Sequence, residues 1–501
     1  LEKSTHFAFA YCLSALLAFL PIILYVPRYI DDYGRSVKGT YNWKKSGFRP
    51  LADWLYSAFN LGGPATALSP LGQLTAIPIS AIGAIAISRT FQVNNPFLAV
   101  AATLPLFVNP YFLENLSYGF DSLSMTAALT LAVIAASQVR TVGPFRRWMA
   151  TTVCLIASLF FYQPAFGAYL PLALTAWLWQ RSETSNTSAQ PFPGFSSLVS
   201  LLSAPAASLS IYGLCSKLFW LKRSEYGEEL SRLISPVHLI KAVAEIQLRF
   251  LHGLWINWHE TAFLPMFLLL TTLFVVALSV RLSRIFPRKQ SYFIAALMPA
   301  ILIFIAPGPM YLISSVDFTE IPRLNAFIGG LFASLALPVA SYASSLPRRS
   351  IFRIVNITII LAWAWCQFVF SYAYGHAMQA QREYEQGRLT RLIYDVSHLD
   401  VNRQAKIIQF EGAMPASPLL ANTTRKFPFM DKLVPRMING PWSWGAKQLT
   451  WQGFSFKSAH KNPASPTDVM KAQACSNDPT SRCSSEHNIV LAGEHLIVKM
   501  K

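Results

Sequence analysis

Apolar residues in this chain gather into runs of roughly 15 to 22 positions, separated by short polar segments. That is the length a helix needs to cross a hydrocarbon core. Eleven runs stand out, at 7–27, 69–88, 97–109, 123–139, 148–161, 167–179, 196–214, 262–280, 291–306, 326–344 and 352–372. Each predicts a membrane-spanning helix, and the third, fifth and sixth are short enough to be re-entrant or tilted. The first run lacks a small-residue cleavage site and further spans follow it, so it reads as a transmembrane helix rather than a signal peptide. The chain starts at Leu1, so an initiator residue or more is expected to precede it.

Charge in the connecting segments sets an orientation. "RTVGPFRR" (140–147), "RLSRIFPRK" (281–289) and "PRRSIFR" (347–353) are basic and carry no acid. Lys and Arg mark cytoplasmic loops, which places these three inside. Counting back puts the N-terminus inside, and the odd number of spans puts the tail outside. On this topology only Glu2 and Glu183, of 24 acidic residues, face the cytoplasm. The long outward segments are then 28–68, 110–122, 215–261, 307–325 and the tail. The domain division that follows is a transmembrane region over 1–372 and an outer domain over 373–501.

Composition agrees with the pattern. The chain is 53% hydrophobic and 13% charged, about half the charge of a soluble protein. Its net charge of +18 would point to nucleic acid in a soluble chain. Here basic loops meeting an anionic lipid surface account for it, and no basic stretch interleaves aromatics in a soluble domain. The expected partner is the bilayer, not nucleic acid.

Segment 215–261 is amphipathic from about Pro236 to Leu254, as an interfacial helix would be, with Trp255 and Trp258 as its anchors. In the tail, short apolar stretches ("AKIIQF", "HNIVLAG", "HLIVKM") alternate with Pro, Ser and Asn turns. They predict a small mixed α/β domain with an exposed sheet. Cys12, Cys154, Cys215 and Cys366 fall in or at the ends of spans and read as packing residues. Cys475 and Cys483, in "ACSNDPTSRCSSE", close a short loop and predict a disulfide, which needs an oxidising compartment.

The candidate chemistry begins with "YIDDYGR" (29–35), where two adjacent carboxylates, Asp31 and Asp32, follow the first span. An ordinary polar helix exit would explain them. Their surroundings are, however, cationic and aromatic: Arg28, Tyr29, Tyr33, Arg35, Lys38, Trp43, Lys44, Lys45, Arg49 and Trp54. A carboxylate there suits attack by a sugar hydroxyl on a lipid-linked donor, taking the hydroxyl proton as general base. A nearby Arg or Lys would stabilise the departing phosphate, and aromatic faces would stack on pyranose rings.

"YIDDYGRSVKGTYNWKKSGFRPLADWLY" followed by "NPYFLENLSYGFDSLSM" resembles the serotype-converting O-antigen glucosyltransferases, the type II Gtr family within the GT-C class of polytopic glycosyltransferases. The resemblance covers roughly residues 7–372, is clearest in these two segments and fades in the tail. It implies a GT-C-like fold of about 11 transmembrane helices. It also implies transfer of glucose from undecaprenyl-phosphate-glucose to the O-antigen of lipopolysaccharide, on the periplasmic side of a bacterial inner membrane. GT-C enzymes carry their usual catalytic acid in the first outward loop, so the resemblance makes Asp31 or Asp32 the base. A flippase and a lipid-glucose synthase are the companions such a system implies.

The second segment offers Glu114, Tyr118 and Asp121, with Asn109–Pro110 reading as a helix stop. Glu114 and Asp121 are about two helical turns apart, so both would face one cleft, either binding acceptor hydroxyls or holding a basic neighbour. They do not read as a glycosidase pair, because a phosphate leaving group needs little protonation and an inverting transferase works with one base. Arg323, in "DFTEIPRLNAFIGG", is the best candidate for the donor phosphate. A salt bridge to Asp317 or Glu320 is its competing explanation, and Lys222, Arg223 and Arg249 are weaker phosphate candidates. Arg35, Trp43, Lys45 and Arg49 complete the substrate-binding set.

His238, His252 and His259 lack metal-ligand spacing and read as interfacial or packing residues. No P-loop, GxGxxG, GxSxG, HExxH or DxD site occurs in a supporting context. No cofactor is expected and no metal site is read, although some GT-C enzymes use a divalent ion. The alternatives are a lipid-linked sugar flippase or other transporter, and a GT-C transferase for another sugar or acceptor. A carrier should bury ionisable groups within its spans, and no acid falls within a span here.

Overall fold

A computed structural model describes residues 2–26, 28–141, 143–181, 195–219, 228, 232–313, 318, 321–400, 404–440, 442–459, 462–475 and 479–501. Glu183, Lys222, Arg223, Asp317 and Glu320 lie outside these. The chain divides into two compact units. The first comprises Leu1–Ile23, Tyr41–Gly63 and Leu68–Tyr372, and the second Leu24–Thr40, Pro64–Ala67 and Ala373–Lys501.

Over their described residues, all eleven apolar runs fall mainly on helices. Among the described residues, eight helices are long and apolar enough to cross a membrane, from Thr5–Tyr25 to Ile351–Leu399. The three that fall short are the three short runs. The third is broken into Pro96–Leu106 and Pro110–Ser117, bent by 70°. The fifth, Pro144–Phe161, opens with Arg146 and Arg147 in its first turn, and the sixth, Tyr169–Arg181, has 13 residues. The chain is thus a multi-pass helical membrane protein, and the three segments that fall short are the ones whose shortness predicts tilted or re-entrant passage.

The break in the third run has a local cause. Asn109 accepts from the amides of Tyr111 and Phe112 at 3.1 Å each, and Pro110 occupies the first helical position, where its missing N–H costs nothing. Its side-chain amide also donates to the Pro105 carbonyl at 3.0 Å. Asn109–Pro110 therefore starts a helix as well as stopping one.

Helix Ile328–Ser345 is buried nearly all round, as a helix apolar on every face must be. "GG" lets it cross its neighbours at backbone distance. A Cβ on Gly329 would lie 2.1 Å from the Leu106 carbonyl oxygen, and one on Gly330 would lie 2.6 Å from the Ala168 Cα. Small residues at such crossings are the usual way membrane helices gain packing. This crossing fixes the turn Pro322–Asn325 against the helix Pro110–Ser117.

The amphipathic segment forms helix Leu239–Trp258, with Ile240, Leu248 and Trp255 largely exposed. Trp258 departs from the expected pair of anchors. It is buried, with its ring 5.3 Å from Phe267 and 5.8 Å from Phe332, because the next helix starts at Phe263 and turns back over it.

The second unit carries a five-stranded mixed sheet: β1 Ile407–Glu411, β2 Lys457–Ser458, β3 Ser481–Cys483, β4 His487–Ala492 and β5 His495–Met500, in the order β2-β1-β5-β4-β3. β1 is parallel to β2 and β5, and the other pairs are antiparallel. The sheet is covered rather than exposed. Leu389, Leu392 and Val396, from the continuation of the 49-residue helix Ile351–Leu399, pack on Ile489, Leu496 and Val498. Ala472, from helix Pro466–Ala474, packs on Val490 and Ile497. Alternating strand residues thus fill two layers, which the tail's apolar runs alone did not reveal. Cys475 and Cys483 are joined by a disulfide, Cα to Cα 6.0 Å.

Candidate active site

In the first unit the segment after residue 41 is tied down by Asp53. Its carboxylate accepts from the amides of Trp43 at 3.0 Å and Lys44 at 2.8 Å, capping the short helix Trp43–Gly47. Burial raises the Asp53 pKa, and these two amide hydrogen bonds oppose the rise. Trp43 is buried against Tyr41 and Tyr56, and Tyr56 stacks on Phe120. Trp54 and Lys45 of this segment are exposed.

Arg49 leaves this aromatic platform to reach Asp121, Nη2 to Oδ1 3.0 Å, with the acid side chain only 2% exposed. Its guanidinium carbon lies 5.9 Å from the Trp43 ring and 5.6 Å from the Tyr162 ring. Arg49 Nη1 is buried and makes no hydrogen bond among the described residues.

A second pair forms alongside. Arg323 Nη1 donates to Glu114 Oε1 at 3.1 Å and to the Tyr118 hydroxyl at 2.8 Å, and the Arg323 amide donates to Glu114 Oε2 at 2.7 Å. Glu114 therefore grips both ends of Arg323. Helix Pro110–Ser117 ends before Tyr118, and Asp121 precedes the next helix, so the two acids do not share a helical face as their spacing predicts. Each instead holds one arginine. Arg249 is exposed on helix Leu239–Trp258.

Tyr162 stands between the two pairs. Its hydroxyl donates to the Arg323 carbonyl at 2.9 Å. Burial raises its pKa, while Arg323 and Arg49 pull it down and Glu114 and Asp121 push it up. Sequence reasoning missed this residue. Its signal was "FFYQPAF", a Tyr-Gln-Pro break between two short apolar runs. Among the described residues no group of three or more His, Cys, Asp or Glu could hold a metal ion.

Asp31, Asp32 and Arg35 belong to the second unit, on helix Asp31–Lys38. Both acids sit in its first turn, where the helix dipole favours negative charge. Asp32 is 1% exposed and accepts from the Tyr29 amide at 2.9 Å. Asp31 is more open and accepts from Lys447 Nζ at 2.9 Å. The Lys447 stem runs past Gly34, where a Cβ would lie 3.1 Å from it. Arg28 lies over the Trp451 ring at 4.1 Å, and Tyr33 meets that ring edge-on. Ile30, just before the two acids, has φ +28°, a strained value for a β-branched residue. Lys447 was invisible from sequence, because only the tertiary fold brings it to residue 31.

Membrane-crossing helices, a helical unit enclosing two part-buried guanidinium–carboxylate pairs and a small mixed-sheet unit define a polytopic membrane protein with a polar centre. Residues 20–317 match the family described as Glucosyl transferase GtrII, and the chain belongs to that family. It is a glycosyltransferase, which sets aside the carrier reading. The chain is 26% identical over 451 residues to the "Uncharacterized 55.3 kDa protein in gtrB 5′ region" of Salmonella phage P22, covering 88% of this chain and 89% of that one. Among solved structures it is similar to ArnT from Cupriavidus metallidurans bound to undecaprenyl phosphate, at 12% identity and a TM-score of 0.36 over 97% of each chain.

Proposed function

We propose that this chain moves glucose from undecaprenyl-phosphate-glucose to the O-antigen of lipopolysaccharide, as a GT-C-type transferase of the bacterial inner membrane. Its N-terminus is cytoplasmic, and its C-terminal unit and reaction centre are periplasmic. A companion lipid-glucose synthase and a flippase supply the donor. The observation that carries this reading is the convergence of Arg49, Glu114, Asp121, Tyr162 and Arg323 in one polar network. These residues come from the segments after the first, third, fifth and ninth apolar runs, which the charge rule puts on a single outer side.

In the reaction, Arg49 and Arg323 face the donor phosphate. Guanidinium suits a phosphodiester because it is always charged and presents paired donors, and Arg49 Nη1 has a donor to spare. The acceptor oxygen attacks the anomeric carbon as the bond from that carbon to the phosphate oxygen breaks, and undecaprenyl phosphate departs with the electron pair. One displacement inverts the configuration. Asp31 or Asp32 receives the acceptor proton.

The test is transfer in membranes, with the label carried either by undecaprenyl-phosphate-glucose or by a nucleotide-glucose. In synthase-free membranes, label should reach O-antigen from the lipid donor alone. Asp31→Asn or Asp32→Asn should lower transfer by about 100-fold, the usual contribution of a positioned base. Normal O-antigen glucosylation in both variants would overturn the base assignment, and label arriving from the nucleotide sugar would overturn the donor.

A further inference from the structure

The second unit contains a cavity of about 390 Å³ along β1, lined by Gln409, Phe410, Glu411, Gly440, Trp442 and Ser458, among others. That volume falls at the small end of ligand sites. We propose that it is a pyranose-binding subsite that seats a sugar ring of the acceptor glycan, an inference that rests on the acceptor assignment above.

Three features build the site. Trp442 and Trp444, from "GPWSWG", stack with ring centroids 4.9 Å apart and planes 3° from parallel. One face of Trp442 is covered by its neighbour, yet half of the residue is exposed. A rigid, partly open indole at a cavity is a poor use of apolar surface unless something flat and partly apolar covers it. The C–H face of a pyranose does so.

The Trp pair is also pinned. The Gly440 amide donates to the Gly412 carbonyl at 2.8 Å, and a Cβ on Gly440 would lie 2.8 Å from the Phe410 carbonyl oxygen. A Cβ on Gly445 would lie 2.8 Å from the Phe410 ring. Glycines at both ends therefore let the segment lie directly on the end of β1.

Glu411 supplies the polar half. Gln409 Nε2 donates to Glu411 Oε1 at 2.7 Å, and Gln409 Oε1 accepts from the Ala464 amide at 2.7 Å. Gln409 is thus held at its oxygen by the Ala464 amide while its nitrogen orients the carboxylate. Gln409 is the one hydrogen-bond partner of the Glu411 carboxylate among the described residues, which leaves Oε2 to accept from sugar hydroxyls. A stacking face beside an oriented carboxylate matches a ring that is apolar on one side and hydroxylated at its rim.

The experiment uses the full chain in nanodiscs. Lipid-free O-antigen polysaccharide, released from the host lipopolysaccharide, is the probe, with dextran as the control. Binding is followed by calorimetry, and transfer is followed as KM and kcat for the acceptor. Trp442→Ala and Glu411→Gln should each weaken polysaccharide binding about fivefold, within the range for one ring contact or one charged hydrogen bond. The loss should appear in acceptor KM rather than in kcat, and Trp442→Phe should restore most of it. Unchanged affinity in both variants, or equal affinity of the wild type for dextran, overturns the subsite. Wild-type protein that binds the polysaccharide without glucosylating it would overturn the acceptor assignment while leaving the subsite standing.

Discussion

Glu114→Gln is the most informative single change in the polar network. The carboxylate is 3% exposed and its partner guanidinium 24% exposed. Breaking a buried pair outright costs about 3–5 kcal/mol, and partial exposure of Arg323 places complete removal near the lower bound. Gln keeps one oxygen, which serves either the Arg323 amide or Nη1, but turns an N–H toward the other donor. With charged hydrogen bonds worth about 1.5–3 kcal/mol each, the expected loss is about 2 kcal/mol of stability. If the pair also sets Arg323 against the donor phosphate, kcat/KM for the lipid donor should fall by about tenfold or more, since 1.4 kcal/mol is a decade. The assays are thermal unfolding in detergent and initial rates normalised to folded protein. The double variant Glu114→Gln/Arg323→Lys should lose less than the sum of the single losses, because both changes break one interaction. Strict additivity, or a single variant with wild-type stability and donor KM, would refute the idea that Glu114 positions Arg323.

Two further outcomes follow from packing and burial. Gly329→Ala should remove most folded protein from the membrane, because its Cβ would fall 2.1 Å from a backbone oxygen, whereas Gly387→Ala, with nothing within 4 Å, should be neutral or slightly stabilising; in-gel fluorescence of tagged variants reads both. Glu385 lies beyond residue 372 in the second unit, and burial pushes its pKa from the usual 4.5 to about 7 against hydrogen bonds from Gln381 and the Met437 amide and the charge of Arg436. The unfolded chain ionises first, so stability is highest below about pH 4.5, falls as pH rises to about 7 and then levels off, a total of about 3 kcal/mol. Glu385→Gln should flatten that slope between pH 5 and 8 in thermal unfolding, and an unchanged slope would assign the pH dependence to another group.

How much of this was legible follows from the range of the interactions involved. Span positions are set by stretches of one chain segment meeting one solvent, so hydropathy located all eleven helices. It did not give the 70° bend between Pro96–Leu106 and Pro110–Ser117, which depends on a cap and a proline at Asn109–Pro110. Residue type and side identified Arg49, Glu114, Tyr118, Asp121 and Arg323 as site candidates, because isolated charges beside apolar runs are costly and so need a reason. Their pairing was not legible. Arg323 is 209 residues from Glu114, and Arg49 is 72 from Asp121. The glycine crossing of helix Ile328–Ser345 and the bend after Leu106 belong to the tertiary packing that brings Arg323 to Glu114, and a local reading cannot see it. Lys447, 416 residues from Asp31, failed for the same reason.

The pairing also bears on how an anionic donor binds. Each of the two guanidiniums faces a carboxylate, which lets the groups be largely buried without an unpaired charge. In the proposed role, a phosphodiester entering the network would meet Arg49 Nη1 unengaged but would otherwise share the two cations with Glu114 and Asp121, so tight ground-state binding is not what this arrangement favours. The leaving group develops a full second negative charge as the glycosidic bond to phosphate breaks, and the guanidiniums then gain more from the phosphate than from the carboxylates. Stabilisation that grows along the reaction coordinate lowers the barrier, whereas stabilisation already complete on binding does not. On this reasoning, if Arg49 and Arg323 take the donor phosphate as proposed, the acids paired with them would hold the arginines ready for the departing phosphate and keep the resting donor from being trapped.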